Sequence, residues 1–575
     1  MGSTSAGQGS NRGRIRPQHG FELVAEAIEE ADIDFIKASV PSDELRAALV
    51  DEDFSEGSDI SSCEDPLTLA QKPIPQHLKR TAMECRIVCT QKRDGSMKAR
   101  LVLKDLKVKR KLPDIKTYAA VPSHSAMRLL IAAADGSNNV VSTTDYKVAY
   151  LQSPNRTDPT TWVLCKYRCP DTDEWVYVWL MGEIYGGQEA GLCWKDYRTQ
   201  CHVMVVQGGF EELYNLESTY YHPDHGVAVS VHVDDPLVIS PNSTASDWTH
   251  DFMDKHFETK GRSTLAPGAP IDYLSMEITL MENGDITLTN RDKAMKFLEE
   301  AGEQDCIPTT KPPLTRQMLQ AAMALDTPLD QEGITLRQQH QGRFGWLLQT
   351  THPGLAVAHS VMSSMPPIAG VLEVAHCIYQ WIQAHKQDGL ISRAGNDSGF
   401  TFYSDSDWAG LHSITGEVRS RTGFLATFNG MPIDWYTGLQ KTIVSNWTEE
   451  VPHIATSSAN AETVAGADSL QRSLHLSYIA KELQFNVPHP LIIYIDATAA
   501  IGFIENTGGG GKMKHLDIKE GWIQLLRDRD IAEFWKIEGP LNLADFFTKL
   551  NDRIIFDQQY AMIQYIPTGE EPQEA

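Results

Sequence analysis

Short apolar runs with β-branched residues begin at about residue 80 and predict a β-rich region. The segment "ECRIVCTQKRDGSMKARLVLKDLKV" predicts a hairpin whose turn is Arg93-Asp94-Gly95. The segment "HSAMRLLIAAADG" follows with an apolar stripe at helical spacing. Two later runs, "NVVSTTDYKVAYLQS" and "GVAVSVHVDDPLVIS", are strand-like, and each carries an acidic residue at its end or turn.

The pattern of apolar positions also divides the rest of the chain into segments. Residues 1 to about 70 lack sustained periodicity apart from "GFELVAEAIEEADIDFIKASV", which favours a mostly disordered segment. Residues 330–395 have mainly helical patterns, and a second β-rich region runs from about 398 to 550. At 575 residues the chain is too long for one core, so two to four domains are expected.

Composition and charge narrow the function classes. The chain is 41% hydrophobic and 22% charged, typical of a globular protein, and its net charge of −25 argues against a general nucleic-acid coat. A local basic strip at 98–116 contrasts with an acidic stretch at 51–65, and such a strip is the expected footprint of a polynucleotide. With no apolar run long enough for a membrane span and a polar N-terminus without a signal-peptide core, we expect a cytoplasmic or nuclear protein without a membrane partner.

The nine cysteines do not indicate a disulfide framework, since their number is odd and they are scattered. Cys85 with Cys89, and Cys165 with Cys169, leave two interpretations open. They could contribute to a zinc site, or they could be ordinary buried thiols, which is the commoner case.

Asp234 and Asp235 are adjacent carboxylates inside an apolar run, which is costly unless a cation binds them. A strand–turn–strand that presents both at its tip would hold them with little freedom. With Asp145, which ends the preceding β segment, they could hold two Mg²⁺ about 3.5–4 Å apart for in-line phosphoryl transfer. The alternative for an isolated Asp-Asp pair is a solvated β-turn.

Four further acids follow strands or begin helices in the second half of the chain: Asp405, Glu462, Asp496 and Asp545. Such a quartet fits a two-metal nuclease, which activates a water and stabilises the leaving oxygen. Taken singly, each of them would more often be a surface carboxylate.

The motifs of the first half resemble those of copia-type retrotransposon reverse transcriptases. "TDYKVAYL", "IYGGQEAGLCW" and "VHVDD" are similar to the family's palm motifs, and "GSMKARLVLKD" to its fingers strand. "YLSMEITL" and "GRFGWLLQTTHPGLAVAHSVMS" look like its primer-grip region and a later segment. In the second half, "FTFYSDSDW", "TSSANAETV", "PLIIYID", "KMKHLDIKEGWI" and "LNLADFFTKL" resemble the family's ribonuclease H domain. The ordered series covers most of residues 80–550.

The resemblance implies an α+β fold, a right-hand polymerase with fingers, palm and thumb followed by an α/β ribonuclease H-like domain. The implied domains are a mostly disordered acidic region (1–72), fingers and palm (73–310), a helical thumb or connection (311–395), the ribonuclease H-like domain (396–552) and a C-terminal tail (553–575). The implied partners are an RNA template, a DNA primer, an RNA–DNA hybrid and deoxynucleoside triphosphates.

The resemblance also implies residue roles. Asp145, Asp234 and Asp235 would be the polymerase metal ligands, and Asp405, Glu462, Asp496 and Asp545 those of the nuclease. Each site would use two Mg²⁺ or Mn²⁺ ions. Lys98 and Arg100 would reach the triphosphate, Tyr150 would exclude a ribose 2′-hydroxyl, Glu189 would face the incoming nucleotide, and Lys514 and His515 would contact the RNA strand.

Several positions depart from the family's pattern. The family Tyr before Val-Asp-Asp is His232 here, Pro236 follows the pair, and Glu189 replaces a Gln. The family Thr-Glu before Ala-Glu is Ala459-Asn460, and "VSNWTEEVPH" is an apparent insertion before Glu462. Besides an active reverse transcriptase with ribonuclease H, two hypotheses therefore stay open: a decayed copy with a dead polymerase, and a domesticated nucleic-acid-binding protein without turnover.

Overall fold

The structure of the protein is a computed structural model. It describes residues 74–91, 97–104, 119–134, 139–147, 149–153, 163–169, 172–180, 182–195, 200–444, 449–452, 454–505 and 518–565. The predictions for residues 1–72, for the 93–95 turn and for Lys514 and His515 lie outside the described residues.

The described residues contain 21 strands. In chain order they are β1 Met83–Gln91, β2 Met97–Leu103, β3 Val140–Thr143, β4 Val163–Arg168, β5 Trp175–Leu180, β6 Glu211–Glu212, β7 Thr219–His222, β8 Val227–His232, β9 Asp235–Ser240, β10 Ser263–Thr264, β11 Ile271–Tyr273, β12 Met276–Leu280, β13 Ile286–Thr289, β14 Gly389–Ser392, β15 Phe400–Asp407, β16 Arg421–Phe428, β17 Met431–Leu439, β18 Lys441–Val444, β19 Glu449–Pro452, β20 Leu491–Ile495 and β21 Ala532–Lys536.

The described residues also contain 14 α-helices. They are α1 His124–Ala133, α2 Ala190–Lys195, α3 Gln200–His202, α4 Ser243–His256, α5 Arg291–Glu300, α6 Arg316–Met323, α7 Gln331–Thr350, α8 Ala356–Ser364, α9 Gly370–His385, α10 His412–Thr415, α11 Ser458–Glu482, α12 Thr498–Glu505, α13 Ile518–Asp528 and α14 Arg553–Ile563. Short 3₁₀ turns include Leu543–Phe547, and none of the helices in the described residues is long and apolar enough to cross a membrane.

The chain forms two compact units. The first contains residues 1–117 and 153–193. Its sheet has the order β2-β1-β4-β5, with β1 and β2 antiparallel and β1 and β4 parallel. The predicted β1–β2 hairpin is therefore confirmed. Cys85 and Cys165 are buried in this sheet, and no group of three metal-ligating side chains includes them among the described residues.

The second unit contains residues 118–152 and 194–575. Its first sheet is antiparallel throughout, in the order β10-β3-β9-β8-β7-β6, and α4 packs against β3, β8 and β9. A second sheet has the order β11-β12-β13-β14. The predicted helix at 124 and the predicted helical stretch at 330–395 are both confirmed, the latter as α7, α8 and α9.

The third sheet has the order β17-β16-β15-β20-β21. Its first three strands are antiparallel and the last two run parallel to β15. Helix α11 lies across β15 and β16, and its N-terminus is capped by Ser457, whose hydroxyl accepts from the Asn460 N–H. Small residues on its buried face, such as Ala461 and Gly466, let the helix approach the sheet. The predicted α+β class is thereby confirmed.

The end of the chain returns to the second sheet. Residues Arg553–Ile563, within the segment predicted to be a tail, form the packed helix α14. The Tyr560 hydroxyl donates to the buried Asp388 carboxylate at 2.7 Å, and Tyr565 pairs with Gly389 at the start of β14. The described part of this segment is therefore integral to the fold.

Two helical glycines in the second unit should respond oppositely to alanine. A Cβ on Gly370 would lie 1.8 Å from the Ala322 carbonyl oxygen, whereas one on Gly342 would meet nothing within 4 Å. We expect Gly370→Ala to lower the free energy of unfolding by about 1–3 kcal/mol, through overpacking. Gly342→Ala should raise it by about 1 kcal/mol, because alanine is the better helix former. Urea unfolding of both variants checks this, and equal effects would contradict the packing of α9.

Candidate active sites

Three of the predicted nuclease acids come together at one edge of the third sheet. Asp405, Glu462 and Asp496 each place a ligand oxygen within 4.8 Å of the others. Asp405 lies near the end of β15, Asp496 directly follows the neighbouring parallel strand β20, and Glu462 lies in the second turn of α11. Because adjacent parallel strands end at the same edge, the topology places the carboxylates beside one another. We call Asp405, Glu462 and Asp496 the acidic trio.

Burial makes the acidic trio electrostatically costly. Asp405 is 1% exposed and Glu462 7%. Burial, and then the charges of the neighbouring acids, raise the pKa of both carboxyls above its ordinary value, even though Lys549 opposes the shift. The Ser406 N–H donates to Glu462, but among the described residues no donor reaches the buried Oε2 of Glu462. Buried carboxylate oxygens that lack hydrogen-bond donors are a ligand set that suits Mg²⁺ or Mn²⁺.

The residues after Asp545 support the acidic trio. The Thr548 hydroxyl donates to Asp405 Oδ2. The Lys549 ammonium lies 3.7 Å from the same oxygen and also donates to Asp545. Asp545 therefore stands next to the site through Lys549, but it is not part of the acidic trio.

A second layer of buried polar groups fixes the elements that carry the acids. Gln440 donates to the Ala461 carbonyl at 2.8 Å, and Asn542 donates to the Ser404 carbonyl at 3.0 Å. Gly423, opposite Asp405 on β16, leaves room for the 543–548 segment, since a Cβ there would lie 2.6 Å from the Ala544 carbonyl oxygen. The backbone around the acidic trio is thus held from three directions.

Asp234 and Asp235 lie at the tip of the β8–β9 hairpin, as predicted. His232 pairs with Asp235, so Val233 and Asp234 form a two-residue turn. Val233 has φ +61°, a conformation that is strained for a β-branched residue. The Trp194 indole N–H donates to the Val233 carbonyl at 2.6 Å, and this bond holds the turn.

Asp145 is joined to the same turn through the backbone. The Tyr146 N–H donates to the Asp234 carbonyl at 2.8 Å. The Asp145 carboxylate pairs with the Lys260 ammonium at 3.1 Å. Tyr150 is half-buried, and burial followed by the charge of Asp234 raises the pKa of its phenol. Unlike the acidic trio, Asp145, Asp234 and Asp235 do not form a group of oxygens within 4.8 Å in the described part of the chain.

Residues 71–315 match the family model described as reverse transcriptase (RNA-dependent DNA polymerase). The retrovirus-related Pol polyprotein from transposon TNT 1-94 of Nicotiana tabacum is 23% identical over 83% of this chain and 35% of its own length. The Pol polyprotein from transposon RE1 of Arabidopsis thaliana is 24% identical over 84% of this chain and 32% of its own length. Most of the chain is thus similar to Pol polyproteins of plant transposons, and residues 71–315 carry the match to reverse transcriptases.

The chain spans about a third of the length of these Pol polyproteins. Among solved structures, a foamy viral protease–reverse transcriptase in complex with double-stranded DNA matches at 12% identity with a TM-score of 0.21. That match covers 88% of this chain and 95% of the foamy viral chain.

The departure from the family pattern at Pro236 is accommodated by the strand register. Val231, which faces Pro236, donates its N–H to Ser218 on the other side of β8. In an antiparallel ladder Pro236 therefore has no donor to supply to β8. On its other side β3 has already ended, at Thr143 opposite Leu237. The second departure, His232, is half-buried, and burial lowers the pKa of its imidazole while Asp234 opposes the shift.

Three of the predicted nucleotide contacts lie in the first unit, whereas Tyr150 belongs to the second. Lys98 and Arg100 are on β2, opposite Thr90 and Val88. The Arg100 guanidinium lies over the Tyr185 ring at 5.0 Å. Glu189 is half-buried just before α2, and its carbonyl accepts from the Cys193 N–H. Their roles remain predictions.

Sequence reasoning missed Thr548 and Lys549 as site residues. Both lie in "LNLADFFTKL", three and four residues after Asp545. This spacing is about one helical turn, so it could have indicated that they lie beside Asp545. Asp407, at the end of β15, is half-buried and accepts from the Gly410 N–H at 2.9 Å.

The raised pKa of Glu462 makes stability pH-dependent. A carboxyl whose folded pKa is raised binds more protons when folded, so its stabilisation is complete below its ordinary pKa of 4.5 and is lost as pH rises above it. With divalent metal chelated, Glu462→Gln should therefore be more stable than the wild type at pH 8 by about 1–3 kcal/mol, the cost of an unpaired buried polar group.

Urea unfolding at pH 5 and pH 8 measures this difference. Glu277→Gln, at an exposed position of β12, is the matched control and should behave like the wild type. Parallel pH profiles for the wild type and Glu462→Gln would show that Glu462 is not strained in the folded state.

Proposed function

We propose that the chain is an RNA-directed DNA polymerase with a ribonuclease H activity that degrades the RNA strand of RNA–DNA hybrids. The polymerase half is supported by the match of residues 71–315 to reverse transcriptases, within which the Asp234 turn lies. The nuclease half rests on one observation, the acidic trio at the edge of the third sheet, of which Asp405 and Glu462 are buried. The strand order of that sheet, with three antiparallel strands followed by two parallel ones, is that of the ribonuclease H-like fold.

In the polymerase, Asp145, Asp234 and Asp235 would hold two Mg²⁺ or Mn²⁺ ions. Bound metal would lower the pKa of the primer 3′-hydroxyl and neutralise the triphosphate. The residues themselves orient the site: Trp194 fixes the turn that carries Asp234, and Tyr150 lies beside that carboxylate as a wall for the sugar. Lys260 would release Asp145 to the metal and remain as a cation next to the phosphates.

In the nuclease, Asp405, Glu462 and Asp496 would hold the metal, with Asp545 as the fourth carboxylate. Bound metal would supply an activated water and stabilise the leaving oxygen. Thr548 holds the orientation of Asp405 by donating to Oδ2. Lys549 keeps Asp545 near the site, and its ammonium can attract the phosphate backbone of a hybrid.

A second candidate is a retroelement protein whose polymerase is dead and whose nuclease or nucleic-acid binding survives. One observation favours it: the acidic trio is assembled, whereas Asp145 is paired with Lys260 and does not form such a group with the two turn acids among the described residues. Glu189 and His232 point the same way, because both change the immediate surroundings of the predicted nucleotide site.

Primer extension on an RNA template with Mg²⁺ or Mn²⁺ separates these candidates. Asp234→Asn should lower the extension rate more than about 100-fold, since even changes behind the metal ligands cost about 10- to 100-fold. Asp224→Asn, at an exposed position in the adjacent β7–β8 turn, is the control and should extend like the wild type. A folded wild type that extends no primer under any metal would leave the second candidate.

Cleavage of an RNA–DNA hybrid tests the nuclease. Asp405→Asn should reduce the cleavage rate by more than about 100-fold, because it removes a charged ligand at the centre of the site. Asp397→Asn, exposed in the loop that leads into β15, should cleave normally. The rate is measured with labelled RNA, and equal rates for both variants would exclude the acidic trio as the site of hydrolysis.

A further inference from the structure

Arg128 joins three distant parts of the second unit. It lies on α1 and is 3% exposed. Its Nε donates to the Ile433 carbonyl of β17 at 2.8 Å, and its Nη1 donates to the Thr350 carbonyl at the end of α7 at 3.0 Å. The guanidinium also stacks on the Trp435 ring at 4.1 Å. Helix α1, helix α7 and the edge of the third sheet therefore meet at one side chain.

Neighbouring contacts strengthen the same junction. The Ser125 hydroxyl donates to Asp434 Oδ1 at 2.8 Å, and the Trp435 indole donates to the Leu348 carbonyl at 3.0 Å. Burial lowers the pKa of Arg128 to about 10, with Asp434 opposing the shift, so the guanidinium remains charged at neutral pH. A guanidinium has five donors in a rigid plane and can stack on an aromatic ring at the same time, which suits a place where carbonyls and an indole converge.

A second attachment lies elsewhere on the third sheet. The Asn215 N–H, in the β6–β7 connection, donates to Glu482 Oε2 at the end of α11 at 3.2 Å. Asn429, at the β16–β17 turn, donates to the Ala132 carbonyl of α1 at 3.3 Å. Helix α11 and the third sheet are thus attached to the β6–β7 connection and to α1 at separated points.

Hydrogen-bonded ladders lead from this junction to both candidate sites. On one side, α1 precedes β3, which leads to Asp145 and pairs with β9 behind the Asp234–Asp235 turn. On the other side, β17 pairs with β16, which pairs with β15 and its Asp405. Closely packed ladders transmit displacement with little compression, so the separation of the two sites is set where α1 meets β17.

We propose that Arg128 is a positioning residue that fixes the spacing between the polymerase and nuclease sites along one bound duplex. The inference rests on the proposed function, because it requires both sites to act on the same hybrid. Each base step advances about 3.4 Å along a strand. A displacement of α1 against β17 by that amount moves the cut by one nucleotide relative to the primer end.

The test is the position of cleavage by the full chain on end-labelled RNA in a hybrid with a recessed DNA 3′ end. We expect the wild type to cut at one position, or at adjacent positions, counted from the primer terminus. Arg128→Met, which keeps the length of the side chain but removes its donors, should spread the cuts over several nucleotides. Its total rate on a long hybrid without a recessed end should stay close to that of the wild type.

Arg472→Met is the matched control. Arg472 lies on α11, pairs with the same Asp434 at 3.4 Å and stacks on Tyr436 of the same strand at 4.1 Å, but these contacts are internal to the third sheet and its helix. Its cut positions should equal those of the wild type. If Arg128→Met does not fold, Trp435→Phe removes the bond to Leu348 and keeps the ring, and it should spread the cuts to a smaller extent.

The outcomes distinguish a failure of the role proposed for Arg128 from a failure of the proposed nuclease. Cuts that keep the wild-type positions in folded Arg128→Met, or in Trp435→Phe when the former does not fold, overturn the role of Arg128. A wild type whose cuts are already scattered overturns it as well. A folded wild type that cleaves no hybrid at all contradicts the proposed nuclease instead.

Discussion

Repulsion among Asp405, Glu462 and Asp496 is the constraint around which the third sheet is organised. Like charges within 4.8 Å in a buried place destabilise the folded chain unless donors and cations surround them. Thr548, the Ser406 N–H and Lys549 supply part of this compensation. Gln440 and Asn542 hold the strands and the helix from behind. The packing of residues 541–549 against β16, with Gly423 at the contact, follows from the need to bring these groups to the acids.

The two candidate sites compensate the repulsion among their carboxylates in different ways. In the acidic trio, Asp405 and Glu462 are buried, and the compensation comes from neutral donors and one shared lysine. At the β8–β9 turn the acids are half-buried, and Asp145 has an ion pair with the exposed Lys260. An exposed pair of this kind contributes little to stability, about 0–1 kcal/mol, so a cation with a higher charge can replace it at small cost. The acidic trio is assembled by the fold itself, whereas Asp145, Asp234 and Asp235 are only brought close to one another through the backbone.

Local patterns predicted what depends on local structure. The period of two in the segment around residue 90 predicted the β1–β2 hairpin, and acids that follow apolar strands predicted which carboxylates meet, since strand ends share an edge of a sheet. The junction at Arg128 could not be predicted in this way. Its bond to Ile433 joins residues 305 positions apart, and a positive residue in an amphipathic helix pattern does not reveal which carbonyls it will meet. The tolerance of Pro236 also depended on register, which the turn alone does not define.

The return of α14 to the second sheet has a consequence for the order in which the molecule can be completed. Asp388 is buried, and its partners are His385, close by in sequence, and Tyr560, which is made much later. Gln564 likewise supplies donors to the carbonyls of Thr351 and Gly389. During synthesis on the ribosome the centre of this unit therefore lacks its closing contacts until residue 565 has emerged. Over that interval Gly389 at the edge strand β14 lacks its partner Tyr565, and an unpaired strand edge favours pairing with another chain.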